Sequence, residues 1–188
     1  DTLRLPYGNR SEEAIYQFSE QAMSYMFEQD CALVVMACNT ASARCLRSLQ
    51  QKFLPLYHPD RNILGVVVPT LEEAKEQKIK RIGLFATNYT AHSNIYYEEL
   101  VKIDPSLKIF QQATPLLVPL IENDGQPWIE DVLNHYLGPL LEQDIDGLIL
   151  GCTHYALIKE TIRKMVGKKC KLLSQDEIIP EKLKDYLG

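Results

Sequence analysis

The feature that most constrains this chain is a phrase it writes twice. Val34-Val35-Met36-Ala37-Cys38-Asn39-Thr40 and Leu148-Ile149-Leu150-Gly151-Cys152-Thr153-His154 share one pattern. Each is an apolar run, a small residue, a cysteine, then amide, hydroxyl or imidazole donors. A short apolar run without polar alternation is the mark of a strand buried on both faces of a parallel sheet. Each such strand delivers a thiol to the mouth of the element that follows. Two of them suggest two halves facing one site. One thiol makes a nucleophile, but two opposed thiols can pass a proton across a carbon.

The rest of the chain supplies the scaffold. Ser11, followed by Glu12 and Glu13, opens a helix running toward Glu28, with the hydroxyl as N-cap and the acids at the positive end. Strand patterns over 32–37, 63–68, 81–86, 108–112, 147–150 and 171–173 alternate with helical patterns over 42–53, 71–77, 90–101, 128–142, 155–166 and 181–187. This alternation predicts an α/β fold of open parallel sheets joined by right-handed crossovers. Ligands in such sheets sit beyond the carboxyl ends of the strands, where both cysteines lie. The near-repeat favours two similar open parallel-sheet domains with the active site in the cleft between them.

Composition narrows the function classes. A chain of 188 residues can bury one ordinary core or two small ones. Its net charge of −5 leaves no basic surplus for a phosphate backbone, so no nucleic-acid partner is expected. No apolar run approaches the roughly 18 residues that span a bilayer, and no secretory pattern opens the chain, so a cytoplasmic protein without a membrane partner is expected. The cysteines number five, an odd count, and no C-x-x-C pair occurs. That reads as reduced thiols rather than a disulfide framework. Cys31, Cys45 and Cys170 are expected to be buried structural thiols.

Cys38 and Cys152 differ from those three in setting. A helix N-terminus or a cationic neighbour can lower a thiol pKa from about 8.5 to roughly 3.5–7.5. Asn39, Thr40 and Ser42 after Cys38 can cap a helix or donate to a ligand carboxylate. Thr153 and His154 repeat the arrangement after Cys152, and His154 can hold a proton beside the thiol. A zinc site from Cys38, Cys152 and His154 is the competing reading, but it lacks a fourth ligand and close spacing. Pro6-Tyr7-Gly8-Asn9 is a turn that can face a ligand. Thr87 and Thr90 are further strand-end donors, and Glu122, isolated after Pro115-Leu116-Leu117-Val118-Pro119, is a weaker candidate.

Three segments carry a family resemblance. Asp1-Thr2-x-Arg4-x-Pro6-Tyr7-Gly8-x-Arg10-Ser11, Ala37-Cys38-Asn39-Thr40-Ala41-Ser42 and Gly151-Cys152-Thr153-His154-Tyr155 resemble, in order, signature segments of the glutamate racemases. These belong to the cofactor-independent aspartate/glutamate racemase superfamily. The resemblance spans essentially the whole chain. It implies two similar α/β domains, the first formed by residues 1–68 and 170–188 and the second by 69–169. It implies that Cys38 and Cys152 are the acid/base pair, and that Tyr7, Gly8, Asn39, Thr40, Thr153 and His154 hold the substrate's amino and carboxylate groups. Thr90 matches a further substrate-side threonine. Histidine at 154, where aspartate racemases tend to carry Glu, favours glutamate. Ala156 stands where the family usually has Pro, and Thr114 where it often has Cys.

The expected activity is interconversion of L- and D-glutamate by two-base proton transfer, with no cofactor and no metal. It would supply D-glutamate for peptidoglycan, with a homodimer as a possible assembly. The alternatives are an aspartate or broader amino-acid racemase, or a non-catalytic remnant that binds in the same cleft. The family also places a strand and an Asp-Ser loop ahead of the segment that opens this chain. A missing N-terminal unit is therefore expected.

Overall fold

The computed structural model describes residues 1–188, the side chain of Thr2 excepted. Six strands form two sheets, and every pairing is parallel. The smaller sheet joins β1 (Leu33–Met36) to β2 (Asn62–Gly65). The larger contains β3 (Arg81–Ala86), β4 (Lys108–Ala113), β5 (Gly147–Gly151) and β6 (Lys171–Ser174) in the order β4-β3-β5-β6. This is the α/β architecture that the alternating pattern predicts, with two parallel sheets.

The helices are α1 (Glu12–Glu28), α2 (Asn39–Ser48), α3 (Leu54–Tyr57), α4 (Val67–Glu76), α5 (Asn88–His92), α6 (Ile95–Ile103), α7 (Leu117–Glu122), α8 (Gln126–Leu141), α9 (Lys159–Val166) and α10 (Gln175–Leu187). Helix α1 starts where its cap dictates: Ser11 Oγ accepts from the Ala14 N–H at 3.3 Å. It buries Ile15, Ser19, Met23 and Phe27, one residue per turn on a single face. That stripe packs with Val34 and Met36 of β1, Ile63 of β2 and Cys45 and Leu49 from the α2 side into one core.

The larger sheet is covered on both faces. Leu148 and Leu150 point to a core with α7, α8 and α9, while Ile149 joins Leu71, Tyr96, Leu100 and Ile178 on the other side. At about 25 cal/mol per Å² of apolar surface buried, these two layers are the main source of stability.

Several local expectations are corrected. Residues 90–101 form two helices, because Asn94 takes a left-handed conformation (φ 57°) that ends one and begins the next. Helix α4 starts at Val67, with Pro69 in its first turn where its missing N–H costs nothing. Residues 153–158 after Cys152 form a 3-10 helix, not the start of an α-helix. Helix α2 runs through a π-helical stretch, Leu49–Phe53, into α3. Residues 171–174, grouped by sequence with the first unit, hydrogen-bond to β5, and Leu173 and Ile178 pack in the larger sheet's core.

Candidate active site

Two thiols emerge from the carboxyl ends of two sheets. Cys38 follows β1 and is the N-cap residue of α2. Ser42 fastens this corner: its N–H donates to the Cys38 carbonyl and its hydroxyl to the Met36 carbonyl, each at 2.8 Å. Burial pushes the Cys38 thiol up, while the backbone N–H groups of Ala41 and Thr40 and the Thr40 hydroxyl pull it down. Those donors are the otherwise unpaired first turn of a helix, which favours a negative charge placed there.

Cys152 follows β5 and is buried. Burial pushes its pKa up to about 12, the His154 N–H opposes this, and a charge on Cys38 would raise it further. The Cys38 charge acts on Cys152 in the sense of like charges resisting joint ionisation. Gly151 precedes Cys152 because a Cβ there would lie 2.8 Å from Leu84 Cδ1 and 2.9 Å from the Phe85 carbonyl oxygen.

His154 stands 3.7 Å from the Cys152 sulfur through Nδ1, and its Nε2 lies 2.5 Å from Glu122 Oε1. The carboxylate accepts the Nε2 proton, which leaves Nδ1 as an acceptor facing the thiol. The chain Glu122–His154–Cys152 therefore has the order acid, imidazole, nucleophile that activates a weak acid. Glu122 ends α7, an element the sequence pattern did not predict. Its isolation among apolar residues was the available signal.

A hydroxyl cluster completes the corner. Thr40 Oγ1 lies 2.9 Å from Thr87 Oγ1 and 3.4 Å from Thr90 Oγ1, joining α2 to the end of β3. Gly8 packs on Thr87, where a Cβ would come within 2.8 Å of Thr87 Cβ. The turn holding Tyr7 is thereby drawn onto the same corner. Burial and the Cys38 charge both raise the Tyr7 pKa, with Arg4 opposing. Tyr7 itself donates to the Asp1 carboxylate at 2.5 Å.

The remaining sequence candidates divide. Thr153 is exposed beside Cys152. Asn39 is 2% exposed and bonded to Gln175 and Tyr96. Thr114, one of the departures from the family pattern, lies 2.6 Å from the buried Tyr155 hydroxyl and supports the turn after Cys152. Among the described residues, no three His, Cys, Asp or Glu side chains gather to hold a metal ion, so the donor set of the zinc reading is not assembled. A cavity of about 1150 Å³ lies away from the thiols, between Val35 and Leu64 of the small sheet and Ile179 and Tyr186 of α10. Between Gly8, Thr87 and Thr114 there is only about 20 Å³, room for about one water.

The family described as Asp/Glu/Hydantoin racemase matches residues 4–174. A glutamate racemase of Trichormus variabilis is 40% identical over 175 residues, covering 92% of this chain and 58% of its own. One of Sulfurihydrogenibium is 42% identical over 170 residues, covering 87% and 62%. The chain thus spans less than two thirds of the length of these sequence relatives. The crystal structure of glutamate racemase isoform RacE1 from Bacillus anthracis superposes with a TM-score of 0.91 at 33% identity, covering 100% of this chain and 69% of that one. A Francisella tularensis glutamate racemase in complex with D-glutamate gives 0.85 at 28% identity, with 100% and 68% covered.

Proposed function

Because the chain belongs to the Asp/Glu/Hydantoin racemase family, we propose that the protein carrying it interconverts L- and D-glutamate by direct transfer of the α-proton between Cys38 and Cys152. The observation that carries this reading is the pairing of two thiols at the carboxyl ends of strands from different sheets, with a charge on Cys38 felt at Cys152. The glutamate racemases among its sequence relatives, and the D-glutamate complex among its structural neighbours, support glutamate as the substrate.

In one direction, a Cys152 thiolate takes the α-proton of L-glutamate and becomes a thiol, leaving a carbanion. The Cys38 thiol then gives its proton to the opposite face and becomes a thiolate. Protons and charge balance, and the two sulfurs end with their roles exchanged. The α-proton is weakly acidic, so the carbanion needs oriented donors around the carboxylate. The hydroxyls of Thr40, Thr87 and Thr90, clustered beside Cys38, are the donors we assign to that work.

A Cys152 pKa near 12 leaves about one thiol in 10⁵ ionised at neutral pH. His154 Nδ1, 3.7 Å from the sulfur, is the acceptor assigned to the thiol proton, with Glu122 orienting the ring through Nε2. Tyr7, Gly8 and Thr153 are assigned to the substrate's approach, Gly8 by its packing on Thr87. We assign residues 1–68 to one half. The other is built on the four-stranded sheet, with the product serving cell-wall synthesis in the cytoplasm. No described helix is long and apolar enough to cross a membrane.

The test is formation of D-glutamate from L-glutamate in deuterated water without added cofactor, with solvent deuterium appearing at Cα. Racemisation of aspartate with equal efficiency, or no isotope entry, would overturn the reading.

A further inference from the structure

Beneath the thiol corner, four buried polar side chains from four elements are linked to one another by hydrogen bonds, with the Thr70 hydroxyl also donating to the Val66 carbonyl. Asn39 (α2), Thr70 (α4), Tyr96 (α6) and Gln175 (α10) are 2%, 0%, 0% and 8% exposed. Asn39 and Gln175 form a reciprocal amide pair: Asn39 Nδ2 donates to Gln175 Oε1 at 2.6 Å, and Gln175 Nε2 donates back to Asn39 Oδ1 at 3.0 Å. The Tyr96 hydroxyl donates to Asn39 Oδ1 at 2.6 Å. Gln175 Nε2 also reaches Thr70 Oγ1 at 3.2 Å and the Tyr96 hydroxyl at 3.1 Å.

We propose that Gln175 and Tyr96 are positioning residues that lock Asn39, and through it the adjacent Cys38, at a fixed setting opposite Cys152. The backbone explains why this place matters. Ser174 pairs with Leu150 across the β5–β6 ladder. Gln175 is the next residue along one strand, and Cys152 lies just past the other. Asn39 is bonded directly to Cys38 along the chain. The amide pair thus joins the helix that presents Cys38 to the residue following β6, the strand paired with the one that leads to Cys152.

Hydrogen-bond capacity points the same way. An Asn side chain offers two acceptor positions and two N–H donors. Tyr96 and Gln175 fill both acceptors and Gln175 takes one donor, so a single N–H remains for anything in the cleft. The amide is held in one orientation from three directions. Apolar packing could fill this volume without the desolvation cost of four polar groups, so a network here favours one defined geometry over stability alone. The negative charge of a Cys152 thiolate is felt at Tyr96, which sets the network next to the reacting groups.

This inference rests on the two-thiol reading, and its test separates the two. Tyr96→Phe removes one hydroxyl, and Gln175→Met removes the amide at similar volume. Both are made in the intact protein and checked for cooperative melting. Each should lower kcat in both directions, by about tenfold for Tyr96→Phe and more for Gln175→Met, with KM within about twofold, since a small misplacement of reacting groups costs rate rather than binding. The double variant should be no worse than Gln175→Met alone, because the two act as one unit.

Peptide-mapped alkylation by iodoacetamide gives a readout independent of turnover. The Cys38 rate should change at least about fivefold in each variant while buried Cys170 stays constant. If Gln175→Met fails to fold, Tyr96→Phe carries the test alone. Folded variants with unchanged kcat and unchanged Cys38 alkylation overturn the proposal. If the parent protein does not racemise glutamate, the two-thiol reading falls, and the alkylation rates alone decide whether Asn39 is locked as proposed.

Discussion

The two cysteine segments read alike and fold into unlike surroundings. Around Cys152, β5 lies between β3 and β6, and every residue from Gly147 to Gly151 is buried. Around Cys38, among the described residues, β1 pairs with β2 alone; Val34 and Met36 are buried, but Leu33 and Val35 are half-buried, and Val35 faces the 1150 Å³ cavity. An apolar strand sequence therefore specifies readiness for burial on both faces, not that both faces are covered. Covering is decided by neighbours.

The same contrast reaches the thiols. Cys38 is supported by a helix N-terminus and Thr40, so the availability of its thiolate comes mainly from backbone donors. Cys152 has a single backbone donor and a short 3-10 turn, and draws instead on His154 and Glu122. Two equivalent jobs are performed by different physical means.

The largest expected effect tests whether both halves are needed at all. Cys38→Ser and Cys152→Ser should each lower racemisation by at least about 10³-fold, because a serine hydroxyl is a far weaker base without further activation. Each variant should still exchange the α-proton of one enantiomer only, and of opposite enantiomers in the two cases. A single variant that keeps full racemase activity would break the symmetry on which the mechanism depends.

The next effect sharpens the packing contrast. Leu150→Ala, in a strand covered on both faces, should destabilise by about 2–5 kcal/mol. Val35→Ala, half-buried beside an open cavity, should cost under about 1 kcal/mol. Urea denaturation with a constant m-value is the measurement. Equal losses would mean that the small sheet's second face is covered in solution.

Legibility in the sequence follows the same division. Strand β3 and the N-cap of α1 were legible because both are local: an apolar run bounded by polar residues, and a serine before two glutamates. Both cysteines were legible because strand ends recur in one pattern. What lay hidden was non-local. Lys171–Ser174 reads as a strand anywhere, and only pairing with β5 decides its sheet. Asn39 reads as a ligand donor because nothing in its own segment announces Gln175, far along the chain. Glu122 became informative only once α7 brought it to His154. The break at Asn94 was missed because a single left-handed residue outweighs the helical periodicity on either side.

A smaller effect probes the imidazole that one half has and the other lacks. His154→Asn should lower kcat from L-glutamate by about 10–100-fold through a weaker Cys152 base, with Glu122→Gln milder. The equilibrium between enantiomers is fixed at unity, so kcat/KM must fall equally in both directions. The asymmetry will appear in kcat and in the pH profile, whose acidic limb, set by deprotonation of Cys152, should move to higher pH for the L-to-D reaction. Identical kcat losses with unchanged pH profiles would assign His154 a purely positional role.

The smallest effect is on stability in alkali, and it compares the thiols without any substrate. A thiol in the unfolded chain titrates near 8.5, whereas Cys152 in the fold is pushed up to about 12 by burial. Between those values the unfolded chain has lost a proton that the folded chain keeps, so stability falls as pH rises. The contribution of the neutral thiol is complete below about pH 8.5 and is lost progressively until the pH passes about 12. One unit above the unfolded pKa the loss is about 1.4 kcal/mol per such thiol, or a few degrees in Tm for a chain of this size. Buried Tyr96 and Tyr155 are also raised and add to the slope, so the comparison is between variants. Cys152→Ser should flatten the decline of Tm between pH 8 and 10.5 more than Cys38→Ser does, because donors at α2 already offset part of the Cys38 shift. The same slope in both variants would mean that the two thiols share one environment, and the contrast between helix-supported and imidazole-supported sulfur would fall.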